Sequence, residues 1–278
     1  MPILLSLLAA VAYGLSDFNG GVFSRRGGAW AVSLTAQGGG AALVVLLALA
    51  TGGSPTGADY AWSLLAGLGN GFGTAFLYRG LSSGRMGVVA PVSAVGSVLV
   101  PVAVGVGAGE RPGPLVWTGI LLALPAIWLV SREPEAISPA PPAGSGLVDG
   151  ILAGVGFGTL FAALAQIPEE AGFLPLALNQ VVAGVVIVVV AIALGRPWVP
   201  RNRYALGGLI SGALGAVATG AFLVATQGGY LTVTSVISSL YPAVTVLLAA
   251  TVLREHVHRA QGVGLALCGL AVALVAAG

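Results

Sequence analysis

One carboxylate, Asp17, stands well inside an apolar run, and it is the residue whose chemistry most needs an explanation. An ionised carboxylate in hydrocarbon costs about 2.5–3.5 kcal/mol on insertion scales, so something must compensate it. A structural ion pair with Arg79 is the leading expectation, because a rise of about 1.5 Å per residue puts both groups at similar depth. A proton-coupling role is the second reading. The third is a helix-end cap within Ser16-Asp17-Phe18-Asn19-Gly20-Gly21. Around Asp17, polar residues recur at helical spacing: Ser6, Ala10, Tyr13 and Asp17; Ser63, Gly67, Asn70, Thr74 and Tyr78; Ser211, Gly215, Thr219, Phe222 and Thr226; Thr234, Ser238, Tyr241 and Thr245. Each set falls on one helix face. Stripes of Gly, Ser and Thr also serve as packing seams between membrane helices. Tyr13, Asn70, Tyr78 and Tyr241 are too large for a seam. The expected substrate-binding set is Tyr13, Asn70, Thr74, Tyr78, Ser93, Thr219, Ser238 and Tyr241, with Asp17 and Arg79 as a coupling group or ion pair.

Other chemistry finds no support. His256 and His258 flank a polar turn with Glu255, without a matching ligand cluster elsewhere, and read as solvated. Gly38-Gly39-Gly40 lies inside an apolar run, so it is no phosphate loop. No carboxylate pair or nucleophile-base set occurs, and no enzyme activity, cofactor or metal is expected. Cys268 is the only cysteine, which excludes a disulfide within one chain. The amides Gln37, Gln166, Asn179, Gln180 and Gln227 suit interhelical hydrogen bonds or contact with a polar solute. Aromatic and amide groups favour neutral or zwitterionic solutes over phosphates, which need an arginine clamp.

The elements that must position these residues are transmembrane helices. The chain is 57% hydrophobic and 7% charged, with a mean hydropathy of +1.00. A crossing helix takes about 20 apolar residues, and ten such runs fill residues 2–22, 29–51, 60–81, 86–108, 113–131, 149–167, 173–195, 204–227, 231–253 and 260–277. The first run lacks a basic leader and has a later counterpart, so it reads as a helix rather than a signal peptide. Pro91, Pro101, Pro125 and Pro242 fall inside helices, where each removes a backbone hydrogen bond and permits a bend.

Sliding the chain on itself by 145 residues aligns Gly67 with Gly212, Thr74 with Thr219, Ser93 with Ser238, Gly109-Glu110 with Arg254-Glu255 and Gly119 with Gly264. At 144, Tyr13-Gly14 falls on Phe157-Gly158. The expected organisation is an N-terminal five-helix repeat over 1–131, a proline-rich linker over 132–148 and a C-terminal five-helix repeat over 149–278. Five is odd, so the second repeat enters the bilayer in the opposite orientation. Turns after the odd-numbered helices carry Arg25, Arg26, Arg79, Arg85, Arg132, Arg196, Arg201, Arg203, Arg254 and Arg259, against Arg111 on the other face. The positive-inside rule makes the arginine face cytoplasmic and puts both termini outside. The net charge of +2 reflects this topology and not nucleic-acid binding.

The unit formed by helices 3 to 5, and again 8 to 10, resembles the EamA repeat of the drug/metabolite transporter superfamily. Residues 76–92 with Gly109-Glu110-Arg111 and Gly119 carry the first copy; residues 222–242 with Arg254-Glu255-His256 and Gly264 carry the second. The first copy has Ser97 where the second has Pro242. The resemblance implies an all-α, ten-helix monomer in the cell membrane, with two inverted repeats around a central cavity. It implies export or exchange of small metabolites such as amino acids by alternating access. Sugars, nucleotide sugars and cationic drugs are moved by other members. In the small four-helix drug pumps a helix 1 glutamate couples protons; Asp17 also lies in helix 1, nearer its cytoplasmic end. A non-transport membrane protein and an intramembrane enzyme are the competing classes. The expected partners are a small-molecule substrate and the lipid bilayer.

Overall fold

The computed structural model describes residues 1–82, 86–131, 145–254 and 256–278. The expected linker, apart from the start of the sixth helix, lies outside the described residues, as do Arg85, Arg132 and Glu255. Without water in a bilayer core, backbone groups must be satisfied within the chain, which favours helices. The described chain consists of α1 (Pro2–Gly27), α2 (Ala29–Thr51), α3 (Gly57–Ser82), α4 (Met86–Gly107), α5 (Pro114–Ser131), α6 (Ser145–Leu164), α7 (Leu174–Ala193), α8 (Arg203–Leu206), α9 (Gly208–Gln227), α10 (Leu231–Ser238), α11 (Tyr241–Val252) and α12 (Arg259–Ala277). Nine described segments are long and apolar enough to cross a membrane, α8 with α9 and α10 with α11 each counting as one. The tenth is α3, as long as α1 but made more polar by Ser63, Asn70 and Thr74.

Two helices differ most from the expected runs. The first extends to Gly27, five residues beyond its apolar stretch. The ninth is not continuous: α10 stops at Ser238 and α11 restarts at Tyr241. Pro242 stands in the first turn of α11, where its missing N–H costs nothing, so it starts a half-helix and does not bend a whole one.

The helices pack as two four-span bundles that each mix the halves. One contains α1, α2, α9 and the α10–α11 pair; the other contains α3, α4, α6 and α7; α5 and α12 pair beside them. A shift of 144 or 145 residues exchanges the bundles. The seams keep this register atom for atom. A methyl group on Gly119 would lie 2.6 Å from Val275 Cγ2, and one on Gly264 would lie 2.7 Å from Val130 Cγ2. Likewise, a methyl on Gly14 would meet Val244 Cβ at 2.5 Å, and one on Gly158 would meet Val100 Cβ at the same distance. Val130 and Val275 are themselves 145 apart, and Val100 and Val244 are 144 apart. The repeat inferred from sequence is thus a physical two-fold built on glycine contacts. Outside the bundles, Leu46, Leu49, Leu121, Val185, Val189 and Ile192 are exposed, as a lipid-facing surface requires.

The Arg79–Asp17 pair is not formed. Arg79 is salt-bridged to Asp149 in the first turns of α6. The Arg79 Nε donates to Asp149 Oδ1 at 2.8 Å, and its guanidinium lies 4.7 Å from the Phe76 ring. Asp149 is buried, and α3 packs along α6, so this carboxylate is nearer than the one on α1.

Two outcomes follow for stability, read as thermal melting of the purified chain. Gly119→Ala is expected to cost about 1–3 kcal/mol through overpacking. Gly269→Ala, whose methyl would meet nothing within 4 Å, is expected to be neutral or stabilising because alanine favours helix. Equal effects of the two would remove the seam argument. Arg79→Gln is expected to destabilise more than Asp149→Asn, since it strands a buried carboxylate, whereas the Arg79 side chain is 41% exposed and reaches water.

Candidate functional site

A cavity of about 180 Å³ lies between the two bundles. From one bundle it is lined by Tyr13, Ser16 and Asp17 of α1, Ser33 and Gln37 of α2, Ser211, Gly215 and Thr219 of α9, and Tyr241 of α11. From the other it is lined by Asn70, Thr74 and Leu77 of α3, Ser97 of α4, Phe157, Leu160 and Phe161 of α6, and Gln180 of α7. The lining spans from mid-depth toward the arginine-bearing end. Asp17 is ten residues, about 15 Å, from the end of α1, and Ser33 is four residues, about 6 Å, from the start of α2.

Hydrogen bonds fix the polar groups. The Tyr13 hydroxyl donates to Thr219 Oγ1 at 3.0 Å, and the Thr219 hydroxyl donates to the Gly215 carbonyl at 2.7 Å. Ser16 Oγ donates to the Ser211 carbonyl at 2.8 Å, joining α1 to α9. Asn70 Nδ2 donates to Gln180 Oε1 at 3.4 Å, joining α3 to α7. Aromatic rings meet across the bundle boundary: Tyr13 and Phe161 centroids are 5.9 Å apart, and those of Phe161 and Phe222 are 4.7 Å apart. Tyr241 stands 6.0 Å from Tyr13 at the head of α11, so the break in the ninth span delivers its ring to the cavity.

Asp17 carries the only formal charge among the lining residues. Its side chain is exposed, with no ion pair or hydrogen bond among the described residues. Among the described residues, no arginine or histidine joins the lining.

The far end is packed and bridged. Both carboxylate oxygens of Glu110, in the turn between α4 and α5, accept from the N-terminus of α10: Oε1 from Leu231 N at 2.5 Å and Oε2 from Thr232 N at 2.9 Å. Gln227 Nε2 donates to the Ile167 carbonyl at 3.3 Å. These bonds join one bundle to the other across the end opposite the arginines.

Of the residues expected to bind, the structure brings Tyr13, Asn70, Thr74, Thr219 and Tyr241 to the cavity, with Asp17 beside them. It does not bring Ser93 or Ser238. Ser93 is buried, its carbonyl facing Gly154 of α6, and Ser238 Oγ donates to the Ser6 carbonyl at 3.4 Å. Arg79 is engaged by Asp149 and lies off the lining. The Tyr78 side chain lies outside the described residues. Sequence reasoning did not select Ser16, Ser33, Ser97, Phe157, Leu160 or Phe161, and it set Gln37 and Gln180 apart only as general amides. The repeat register carries the missing signal: a shift of 144 takes Tyr13, Ser16, Asp17 and Ser97 onto Phe157, Leu160, Phe161 and Tyr241, all of which line the cavity.

The fold and the sequence both have counterparts. One crystal structure superposes on 98% of this chain and 95% of its own, with a TM-score of 0.77 at 18% identity. No curated protein matches the chain. Residues 144–277 match the EamA-like transporter family. The second repeat thus matches a family of membrane transporters within the drug/metabolite transporter superfamily.

Proposed function

We propose that the chain is a secondary transporter that moves amino acids or related small zwitterionic and neutral solutes by alternating access, in the direction of export or exchange. The observation that carries this reading is the lone Asp17 carboxylate in a cavity shared by both bundles. Inverted repeats supply two states of similar energy that expose one site in turn. Asp17 offers a partner to an amino group. The uncharged donors of Asn70, Gln37, Gln180 and Ser97 suit the opposite, carboxylate end, and Phe157, Phe161 and Tyr241 suit an apolar side chain. The absence of a guanidinium from the lining disfavours phosphate esters and nucleotide sugars.

In this reading the arginine-bearing face is cytoplasmic, both termini are outside, and the protein works in the cell membrane. The described conformation is then inward-facing, since the lining reaches toward the arginine end while Glu110 and Gln227 hold the other end shut. Asp17 can also take a proton in exchange for the amine. That second role is favoured by the same lack of a fixed counter-ion.

Counterflow of an amino-acid and amine panel in proteoliposomes tests the function. Movement of at least one amine-bearing solute is expected, and Asp17→Asn is expected to lower its rate at least tenfold with little loss of melting temperature. Tyr13→Phe is expected to have a smaller effect, since the ring stays and one hydrogen bond is lost. If no solute of the panel moves or binds, the transport reading fails; if Asp17→Asn transports normally, the carboxylate is not the anchor. Access is tested with a Ser33→Cys substitution in a Cys268→Ser background. An impermeant thiol reagent is expected to label it from the arginine-bearing face and not from the other; labelling from the other face alone would reverse the orientation.

A further inference from the structure

We infer that Arg26, Tyr204 and Arg203 form a binding site for the phosphate of an anionic lipid headgroup. The site lies outside the cavity, where the end of α1 meets α8, and does not depend on which solute is moved. Arg26 Nη1 and Arg203 Nη2 both donate to the Tyr204 hydroxyl oxygen, at 3.2 and 3.4 Å. Their guanidinium carbons stand 5.3 and 5.2 Å from the centre of the same ring. Neither has a carboxylate partner among the described residues. Two cations are thus gathered on one phenol with nothing negative to balance them.

The arrangement is built into the fold and does not arise from two free side chains meeting. Asn202 Nδ2 donates to the Arg26 carbonyl at 3.1 Å, while Asn202 Oδ1 accepts from Ala205 N at 2.9 Å and caps α8. Gly27 lets the two chains touch, for a methyl there would lie 2.7 Å from Ala205 N. Because its oxygen already accepts two N–H groups, Tyr204 has its own O–H left to donate. That proton and the remaining guanidinium N–H groups present converging donors of the kind that bind phosphate oxygens.

The surroundings select a lipid over a soluble phosphate. Val22 lies one turn before Arg26 on the same face of α1, and Leu206, Leu209 and Ile210 follow Arg203; all four are exposed. A headgroup held between the arginines would place its acyl chains along these apolar side chains. A basic site at a membrane edge attracts anionic lipids on general electrostatic grounds as well. Arg26 belongs to the first half and Arg203 to the second, so the bound lipid would tie the halves together within one bundle.

Native mass spectrometry of the full chain, purified in mixed micelles containing phosphatidylglycerol or phosphatidylcholine, tests the site. The wild type is expected to retain phosphatidylglycerol and not phosphatidylcholine. The Arg26→Gln, Arg203→Gln double variant is expected to lose at least fivefold of that retention. A control with equal charge loss on the same face, Arg196→Gln with Arg259→Gln, should stay within twofold of wild type. Equal losses in the two double variants would reduce the effect to diffuse surface charge and overturn the site. Displacement of the lipid by equimolar inorganic phosphate would assign the site to free phosphate and overturn the lipid reading. If the glutamine pair fails to fold, Arg26→Lys with Arg203→Lys decides the matter: loss of at least threefold supports the planar guanidinium fork, and full retention overturns it.

Discussion

Close backbone approach at glycine is the constraint on which the rest of the structure depends. Within hydrocarbon there is no hydrophobic force to drive one helix against another, so association rests on close van der Waals fit and on hydrogen bonds. Gly14 against Val244 and Gly158 against Val100 are the same contact made twice, as are Gly119 against Val275 and Gly264 against Val130. Because each seam has a twin, the two bundles are closely similar bodies joined along matching lines. The interior packing of the bundles therefore gives little preference for an opening at one end over the other. The preference in the described conformation lies in contacts at the ends, where Glu110 and Gln227 cross from one bundle to the other.

Symmetry of position does not extend to chemistry. Thr74 and Thr219 are a matched pair and both line the cavity. Between α1 and α6 the polar member comes from the first half: Tyr13 takes the place of Phe157, Ser16 that of Leu160 and Asp17 that of Phe161, whereas Gln180 and Ser211 supply polar groups from the second half. The two-fold thus sets a polar face of α1 in the position that α6 fills with aromatic and aliphatic side chains. A duplicated fold acquires a direction in this way, since a symmetric lining would bind a polar solute equally well in two orientations. Asp17, whose mate is a phenylalanine, gives that face of α1 the only formal charge among the described lining residues.

Much of this was legible in the sequence for identifiable reasons. Ten apolar runs follow from the length needed to cross a bilayer, and the repeat register follows from glycines that the seams cannot exchange. The helical stripes drew Tyr13, Asn70, Thr74, Thr219 and Tyr241 onto faces that line the cavity. Ser93 and Ser238 lie at helix contacts instead, because a helix in a bundle has two kinds of inward face, one toward a neighbour and one toward the cavity, and periodicity alone does not separate them. Arg79 was assigned to Asp17 by depth along the membrane normal, a coordinate that says nothing of lateral distance. The nearer carboxylate, Asp149, stands at the very start of a run, where a charge looks unremarkable. Pro242 was read as a bend in one helix because the hydropathy of residues 231–253 is unbroken; only the backbone reveals that Ser239 and Leu240 divide it.

That division gives the far-end closure a route to the cavity. An eight-residue helix is too short to hold itself by propagation, so α10 relies on what satisfies its termini. Glu110 accepts the amides of Leu231 and Thr232 with both oxygens, placing a negative charge at the positive end of the helix dipole. The other end of α10 runs through Ser239 and Leu240 into Tyr241, whose ring stands against Tyr13 in the cavity. Its positional mate in the first half, Ser97, sits in α4, which is continuous and carries Pro91 and Pro101 inside the helix. Two non-helical positions thus stand between the bonded helix α10 and a residue that lines the cavity.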